Sequence, residues 1–256
     1  MSHFTNLAKQ PNRRIITALA VLTTGLGSMV EAEEVQGLVF PETSVAVASP
    51  VEEIVREVMV KEGDAVDQGH ELARLDSAKE VLEVQLYDKQ VEQREFVAKG
   101  MQTLLSEKMV SREAAFEKRT DFELAIIQRD IAKERLKEKT IRSPLAGIVV
   151  KKYKESGEAV ERVEKMFDIV SIDRVVVQFY LEPKFMVRIE PGNKVPVRFP
   201  VLDNKEFETV VSFVDPRIDA ASGLFRVKLL LENPGHDVKA GMRGTADFDK
   251  LPSVKN

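Results

Sequence analysis

The chain has 256 residues but no cysteine and no tryptophan, and aromatic residues make up only 6% of it. Without cysteine it has no disulfide bond, no thiolate metal site and no cysteine that could carry a lipid at a processed N-terminus. The net charge of −4 is mild, so the basic excess typical of nucleic-acid-binding proteins is missing. His3, His70 and His236 lie far apart and the methionines are scattered, which argues against a metal site.

Long apolar runs are missing from the chain except near the N-terminus. There, Lys9, Arg13 and Arg14 precede an apolar segment at residues 15–26, and a small side chain, Ala32, precedes a suitable cleavage point. This pattern predicts a signal peptide at residues 1–32. The alternative is a retained inner-membrane anchor, although the segment is shorter than the roughly 20 residues that a bilayer span needs. In both cases the rest of the chain is expected outside the cytoplasm.

Two short segments in the first two thirds of the chain resemble each other. The heptapeptide that starts at Ser49 matches the one at Ser143, and the Gly-x-Ala-Val turn at Gly63 matches the one at Gly157. The offset is constant at 94 residues (143 minus 49, and 157 minus 63). Around both segments the sequence predicts short strands rich in β-branched residues and separated by turns. Such an internal repeat predicts two half-motifs, 44–76 and 140–174, which pair to form one small β domain.

Residues 77–139, between the two halves, contain no proline and one glycine, Gly100. Residues in both parts of this segment recur at alternating steps of three and four, which predicts a hairpin of two helices that coil together. Each arm spans about 28 residues, or roughly 40 Å, and Ser111 is a plausible N-cap for the return helix. The predicted seam consists of Val84, Tyr87, Val91, Arg94, Ala98, Met101 and Leu105 on the first arm, and Ala115, Arg119, Phe122, Ile126, Arg129, Lys133 and Leu136 on the second.

From Val175 onward, alternating apolar residues and turn motifs predict another set of strands. Residues 175–250, with an early strand at residues 35–43, are enough for a small β-barrel, and Pro41 is expected to interrupt the early strand. The predicted fold is therefore mainly β with a long α-helical hairpin.

The nested order of these segments and several motifs resemble the periplasmic adaptor subunits of bacterial efflux and secretion systems, also called membrane fusion proteins. The motifs are Ser-Pro-x-x-Gly-Ile-Val at Ser143, the Gly-x-x-Val turns at Gly63 and Gly157, Asp215-Pro216-Arg217, Ser222-Gly223, Asn233-Pro234 and Lys239-Ala240-Gly241-Met242. The resemblance implies a split lipoyl-like domain, a coiled-coil hairpin and a β-barrel domain, with no catalytic, cofactor or metal site.

In this family the hairpin tip docks end to end with the tip of an outer-membrane channel. The family pattern there is an Arg, a Leu four residues later and a Ser seven residues after that. Leu104 and Ser111 match the pattern, whereas Gly100 occupies the position of the Arg.

Met109 and Val110 are further docking candidates, since exposed apolar residues at the end of a hairpin have no core of their own. The alternative is that they pack across the loop onto Leu105 and Phe116. The predicted docking residues are Leu104, Met109, Val110 and Ser111.

The resemblance implies a periplasmic adaptor, associated with the inner membrane, that bridges an inner-membrane transporter of RND type and an outer-membrane channel. It would form a homo-oligomeric ring and perform no chemistry of its own. The alternative is an exported binding or scaffold module of the same fold without a pump partner. Gly100 favours that alternative, as do the few residues between the last predicted strand and Asn256, where many adaptors continue into a membrane-proximal domain.

Two other features suggest chemistry but have simpler explanations. Lys79 lies near the place where lipoyl domains carry a modified lysine, yet a helix is predicted there instead of a tight turn. Asp215 and Asp219 form a carboxylate pair, but they fall in a predicted turn without a nucleophile or base, where aspartates commonly cap the backbone.

Overall fold

The structure, a computed structural model, describes residues 34–249 and 251. The predicted signal at residues 1–32 lies outside this part of the chain. None of the helices described is long and apolar enough to cross a membrane. The α-helices are α1 (Ala78–Ser106) and α2 (Arg112–Glu138). The strands are β1 (Glu34–Ala48), β2 (Glu53–Val58), β3 (Ala65–Val66), β4 (Glu71–Leu75), β5 (Thr140–Arg142), β6 (Gly147–Lys152), β7 (Ala159–Val160), β8 (Lys165–Leu181), β9 (Lys194–Phe199), β10 (Lys205–Ile218), β11 (Phe225–Glu232) and β12 (Arg243–Asp247).

Six strands form a closed barrel in the order β1-β12-β9-β10-β11-β8, because β1 also pairs with β8. All neighbours are antiparallel, and inward residues alternate with outward ones, as expected for a barrel of this kind. Phenylalanines fill its interior. The rings of Phe179 and Phe248 pack edge to face, with centroids 5.1 Å apart. This barrel and the predicted mainly β fold class are confirmed.

The repeat folds into a second β unit with its own core. A four-stranded sheet, β5-β4-β2-β7, packs beside the end of the large sheet formed by β3, β6, β8 and β1. The two halves make matching hydrogen bonds: the Gly63 N–H donates to the Val149 carbonyl at 2.8 Å, and the Gly157 N–H donates to the Val55 carbonyl at 2.7 Å. Donors and acceptors both differ by the offset found in the sequence, so the predicted internal repeat is confirmed.

Two long strands, β1 and β8, run through both β units. They pair with each other from Leu38 with Gln178 to Ala48 with Lys165. The prediction that Pro41 interrupts the first strand is wrong, because β1 continues past it. The register shifts between Pro41 and Thr43 instead, and such an irregularity is one way a strand accommodates a proline that has no N–H to donate.

The helical hairpin is present, but its seam differs from the prediction at alternate positions of α2. Ala115, Ala125 and Ala132 are buried, whereas Arg119 is exposed and forms an ion pair with Glu123 at 2.9 Å. The seam therefore follows Ala115, Lys118, Phe122, Ala125, Arg129, Ala132 and Leu136. Alanine is favoured on this line because its small side chain lets two helices approach closely.

Candidate partner-docking site

The hairpin tip is built by the ends of the two helices. At the end of α1, the Met109 N–H donates to the Leu104 carbonyl (2.9 Å) and the Lys108 N–H donates to the Leu105 carbonyl (3.0 Å). These two bonds form a Schellman motif, in which Lys108 takes the left-handed conformation with φ 59°. The Ser111 hydroxyl accepts a hydrogen bond from the Ala114 N–H at 3.1 Å, which confirms Ser111 as the N-cap of α2.

The predicted docking residues lie together at this tip but are unequally exposed. Met109 is 69% exposed, whereas Leu104 and Val110 are half-buried. Phe116, one turn into α2, is 70% exposed. Met109 and Phe116 therefore do not bury each other, and packing across the loop does not account for Met109.

Phe116 is a candidate that the sequence analysis did not assign to docking. It borders an open groove beside the tip, lined by Gln102, Leu105, Arg112, Glu113, Ala115, Phe116 and Arg119. An aromatic residue five positions after the predicted N-cap, Ser111, and outside the predicted seam was the available signal.

Gly100 occupies an ordinary helical position in α1. A Cβ added there would meet no atom within 4 Å, and its φ is not in the left-handed region. Space and backbone geometry therefore do not require glycine, and an arginine fits at this position.

Each helix also carries a second line of residues at heptad spacing on its outer face. The outer line of α1 is apolar and basic and comprises Lys79, Leu82, Leu86, Lys89, Gln93 and Phe96. The outer line of α2 is apolar and acidic and comprises Glu113, Glu117, Thr120, Leu124, Ile127, Ile131, Glu134 and Glu138. Leu86 on the first line and Ile131 on the second are at least half exposed. Both outer lines thus carry apolar residues, and their charged residues are of opposite sign.

The barrel presents an unusually apolar outer face. Antiparallel sheets with one solvated face usually place polar residues there, but the pairing brings apolar side chains into a row across four strands. This row is Val210, Leu230, Val176 and Phe40. The next row is Phe213, Lys228, Gln178, Leu38 and Arg243. We call these two rows the outer barrel face, and they combine apolar area with positive charge.

The loop that follows β10 uses its aspartates for structure. Hydrogen bonds from Arg217 hold the pKa of Asp215 below its ordinary value, and Arg226 also binds this carboxylate at 3.2 Å. The Ser222 backbone N–H donates to Asp219 and lowers its pKa in the same way. Both carboxylates are therefore ionised and occupied by local partners, as the capping explanation expects.

Two other features of the sequence remain without a chemical site in the described residues. No group of histidine, aspartate and glutamate side chains there has an arrangement that would hold a metal ion. Lys79 lies exposed in the first turn of α1, and not in a β-turn between the two halves.

Comparisons with known families agree with this architecture. A family described as CzcB-like, barrel-sandwich hybrid domain matches residues 43–171, which is half of the chain. The chain belongs to this family of membrane fusion proteins. A second family, described as CusB-like, beta-barrel domain, matches residues 180–251. The resemblance to periplasmic adaptors is thus confirmed. A search of curated protein sequences found no match.

Solved structures share the fold at low sequence identity. A MacA–MexA chimera containing the Pseudomonas aeruginosa MexA α-hairpin domain has a TM-score of 0.74 and 17% identity, covering 84% of this chain and 78% of that one. The membrane fusion protein Spr0693 from Streptococcus pneumoniae R6 has a TM-score of 0.69 and 17% identity, covering 86% and 99%. A putative efflux transporter from Bacteroides eggerthii has a TM-score of 0.67 and 16% identity, covering 88% and 71%. At these identities the likeness concerns the fold.

Proposed function

We propose that this protein is a periplasmic adaptor, associated with the inner membrane, that joins an inner-membrane transporter of RND type to an outer-membrane channel and performs no chemistry itself. The observation that carries the proposal is the hairpin tip. The 29 residues of α1, about 43 Å long, lead to a tip where Met109 and Phe116, at the start of the return arm, are largely exposed and lie outside both β cores. Exposed apolar side chains at such a place indicate a protein partner.

The channel contact is tested by photo-crosslinking in intact cells from a photoreactive residue at Met109. Gln85, which is exposed near the base of α1, serves as the control position. We expect an outer-membrane channel in the adduct from Met109 and not from Gln85. If Met109 captures no channel in cells where the protein is exported and folded, the bridging function is wrong.

Gly100 favours the second candidate, an exported binding or scaffold module without a pump. A variant that restores the arginine of the family pattern at position 100 distinguishes the adaptor from the scaffold module. In an adaptor, Gly100→Arg should increase the yield of channel adduct, whereas Gly100→Ala, which strengthens the helix by about 1 kcal/mol without adding a charge, should not. Equal yields from both variants would mean that the Arg position plays no part in docking here.

We place the contacts of a homo-oligomeric ring on the outer lines of the hairpins. The apolar and basic line of α1 in one copy fits the apolar and acidic line of α2 in the next copy. Because the two lines are different surfaces of one chain, the contact is heterologous, and repeated around an axis it closes a ring.

Cysteine pairs test this arrangement without background, because the chain has no native cysteine. Leu86→Cys with Ile131→Cys places the two thiols on opposite outer faces of one hairpin, so oxidation can link only neighbouring copies. We expect a ladder of cross-linked species. The control pair, Leu86→Cys with Glu107→Cys, lies at different heights along the hairpin and should give none. A ladder from both pairs, or from neither, would contradict the packing.

The outer barrel face is the surface that we assign to the transporter. Its apolar rows and its positive charges, Lys228 and Arg243, suit a partner surface that combines apolar side chains with carboxylates. A photoreactive residue at Leu38 should capture an inner-membrane transporter, whereas one at Glu208, exposed on β10 outside this face, should not. If the photoreactive residue at Leu38 captures no transporter while the one at Met109 captures a channel, the transporter does not bind at the outer barrel face, but the proposed channel contact stands.

A further inference from the structure

The base of the hairpin contains a buried lysine. Lys139 follows the last residue of α2, and its side chain is only 9% exposed. Its amino group lies 2.7 Å from the Glu53 carboxylate on β2 and 3.0 Å from the Glu80 carboxylate in the first turn of α1. One side chain thus connects the β-sheet, the start of the outgoing helix and the end of the returning helix.

The charge on Lys139 is maintained by these partners. Burial alone would lower the pKa of Lys139, but hydrogen bonds to Glu53 and Glu80 outweigh burial and raise it. The Lys139 hydrogen bond also lowers the pKa of Glu53. A buried charge that loses its partners is costly, so the three groups resist any movement that would separate them.

Backbone hydrogen bonds provide further links at the base, where the chain passes from the strands into α1 and out of α2. The Leu75 N–H donates to the Lys139 carbonyl at 2.8 Å, and the Asp76 N–H donates to the Ile54 carbonyl at 2.9 Å. These bonds fix the points where the helices start and end. Among the described residues, no other ion pair joins the hairpin to the strands.

The repeat shows that Glu53 is particular to the first half. The matching position in the second half, 94 residues later, is Gly147, where an added Cβ would overlap the Val170 carbonyl oxygen. A carboxylate is therefore possible at this position in the first half and excluded in the second.

We propose that Lys139 is a positioning residue whose two ion pairs fix the direction in which the hairpin leaves the lipoyl-like domain. Because α1 is about 43 Å long, a rotation of about 10° at its base moves the tip by about 7 Å. The link between this restraint and docking rests on the proposed function, but the restraint itself is a property of the isolated chain.

The test measures the spread of distances between the tip and the barrel by electron spin resonance. Spin labels are attached at Gln102→Cys near the tip and at Val187→Cys, which is 76% exposed in the barrel region. Labelled protein is diluted with unlabelled protein, so that only distances within one chain contribute. In Lys139→Met we expect a distribution broadened by several ångströms, whereas Lys139→Arg should retain the narrow one.

Lys133→Met is the matched control, because it removes an exposed ion pair with Asp88 inside the hairpin and leaves the base intact. It should not broaden the distribution. Near-ultraviolet circular dichroism and the melting temperature establish that each variant is folded. Should Lys139→Met fail to fold, Glu80→Gln and Glu53→Gln replace it, and each should broaden the distribution to a smaller extent.

An unchanged width in folded Lys139→Met, or in both glutamine variants, would overturn the proposal. Equal broadening by Lys139→Arg or Lys133→Met would also overturn it, because the effect would not depend on the paired charge. These results are independent of channel crosslinking at Met109, so failure of the restraint and failure of the adaptor function can be distinguished.

Discussion

The two halves of the lipoyl-like domain have the same backbone but differ in side chains at matched positions. The Gly69 N–H donates to the Ser143 carbonyl, and the Val163 N–H donates to the Ser49 carbonyl, both at 2.8 Å. Yet the left-handed turn position is glycine in the first half, with φ 85°, and valine in the second, with φ 67°. The two halves thus share their hydrogen-bond geometry even where the residues at matched positions differ. The differing residues can be explained by the different surroundings of each half.

The largest difference between the halves should appear at Gly147 and its counterpart Glu53. Gly147 begins β6, which pairs with β8, and a Cβ there would overlap the backbone of Val170, which cannot move aside cheaply. We expect Gly147→Ala to lower the free energy of unfolding by about 2–3 kcal/mol.

Urea denaturation followed by circular dichroism measures this effect, with Glu53→Ala as the matched variant in the first half. Truncation of Glu53 removes one partner of Lys139 but creates no overlap, and Lys139 keeps its ion pair with Glu80 at 3.0 Å, so this truncation should cost less. An equal loss for both variants would mean that the crowding at Gly147 is relieved by a shift of β8.

The turn positions should respond in opposite directions. Gly69→Val places a β-branched residue in the left-handed region and should destabilise the protein by about 1–2 kcal/mol. Val163→Gly removes that strain and should stabilise it by about 1 kcal/mol, even after the greater flexibility of glycine in the unfolded chain is counted.

Thermal unfolding of the two single variants and of the exchanged double variant checks this prediction. No atom lies within 4 Å of a Cβ at Gly69, so the loss of stability in Gly69→Val measures backbone strain and not steric overlap. A loss of stability in Val163→Gly would show that the exposed valine side chain makes a contact that outweighs its backbone strain.

Much of this architecture could be predicted because it depends on local patterns. Glycines at turns and the Ser-Pro starts identified the repeat, and the heptad spacing identified the hairpin. The phase of the α2 seam could not be decided in the same way. A seam through Ile126 and a seam through Ala125 both have heptad spacing. Which of the two faces α1 depends on how closely α1 approaches α2.

The site was less predictable than the fold. Leu104 was predicted from the family pattern and Met109 from its place at the tip, but the exposure of Phe116 depends on what α1 leaves uncovered. Lys139 was missed because a lysine at the end of a helix is commonly a solvent-exposed partner of the helix dipole. Its ion-pair partners Glu53 and Glu80 are 86 and 59 residues away in sequence (139 minus 53, and 139 minus 80), so no local pattern indicates them.

The matched serines should behave alike in the two halves. Both are buried; the Ser49 hydroxyl donates to the Val51 carbonyl at 2.6 Å, and the Ser143 hydroxyl donates to the Leu145 carbonyl at 2.5 Å. Replacing either by alanine leaves a carbonyl without its partner and should cost about 1 kcal/mol. Denaturation of Ser49→Ala and Ser143→Ala tests this, and clearly unequal losses would show that the halves differ in more than their divergent positions.

The smallest expected effect is a pH dependence at the matched position where the first half has Glu53 and the second has Gly147. The hydrogen bond from Lys139 lowers the pKa of Glu53 below its ordinary value of 4.5. A carboxylate with a lowered folded-state pKa stabilises the protein above its unfolded pKa, and the stabilisation is lost as the pH falls through the folded-state value. Glu53→Gln should therefore be less stable than the unsubstituted protein near pH 7, and the gap should narrow below about pH 4.5.

Urea denaturation between neutral and acidic pH measures this gap, with Glu57→Gln as the control on the same strand, since Glu57 is exposed. The control should show no such narrowing. A gap for Glu53→Gln that stays constant down to acidic pH would mean that the charge of Glu53 contributes nothing through Lys139. The first half would then differ from the second at this position only in the size of its side chain, and not in a charged contact with the hairpin.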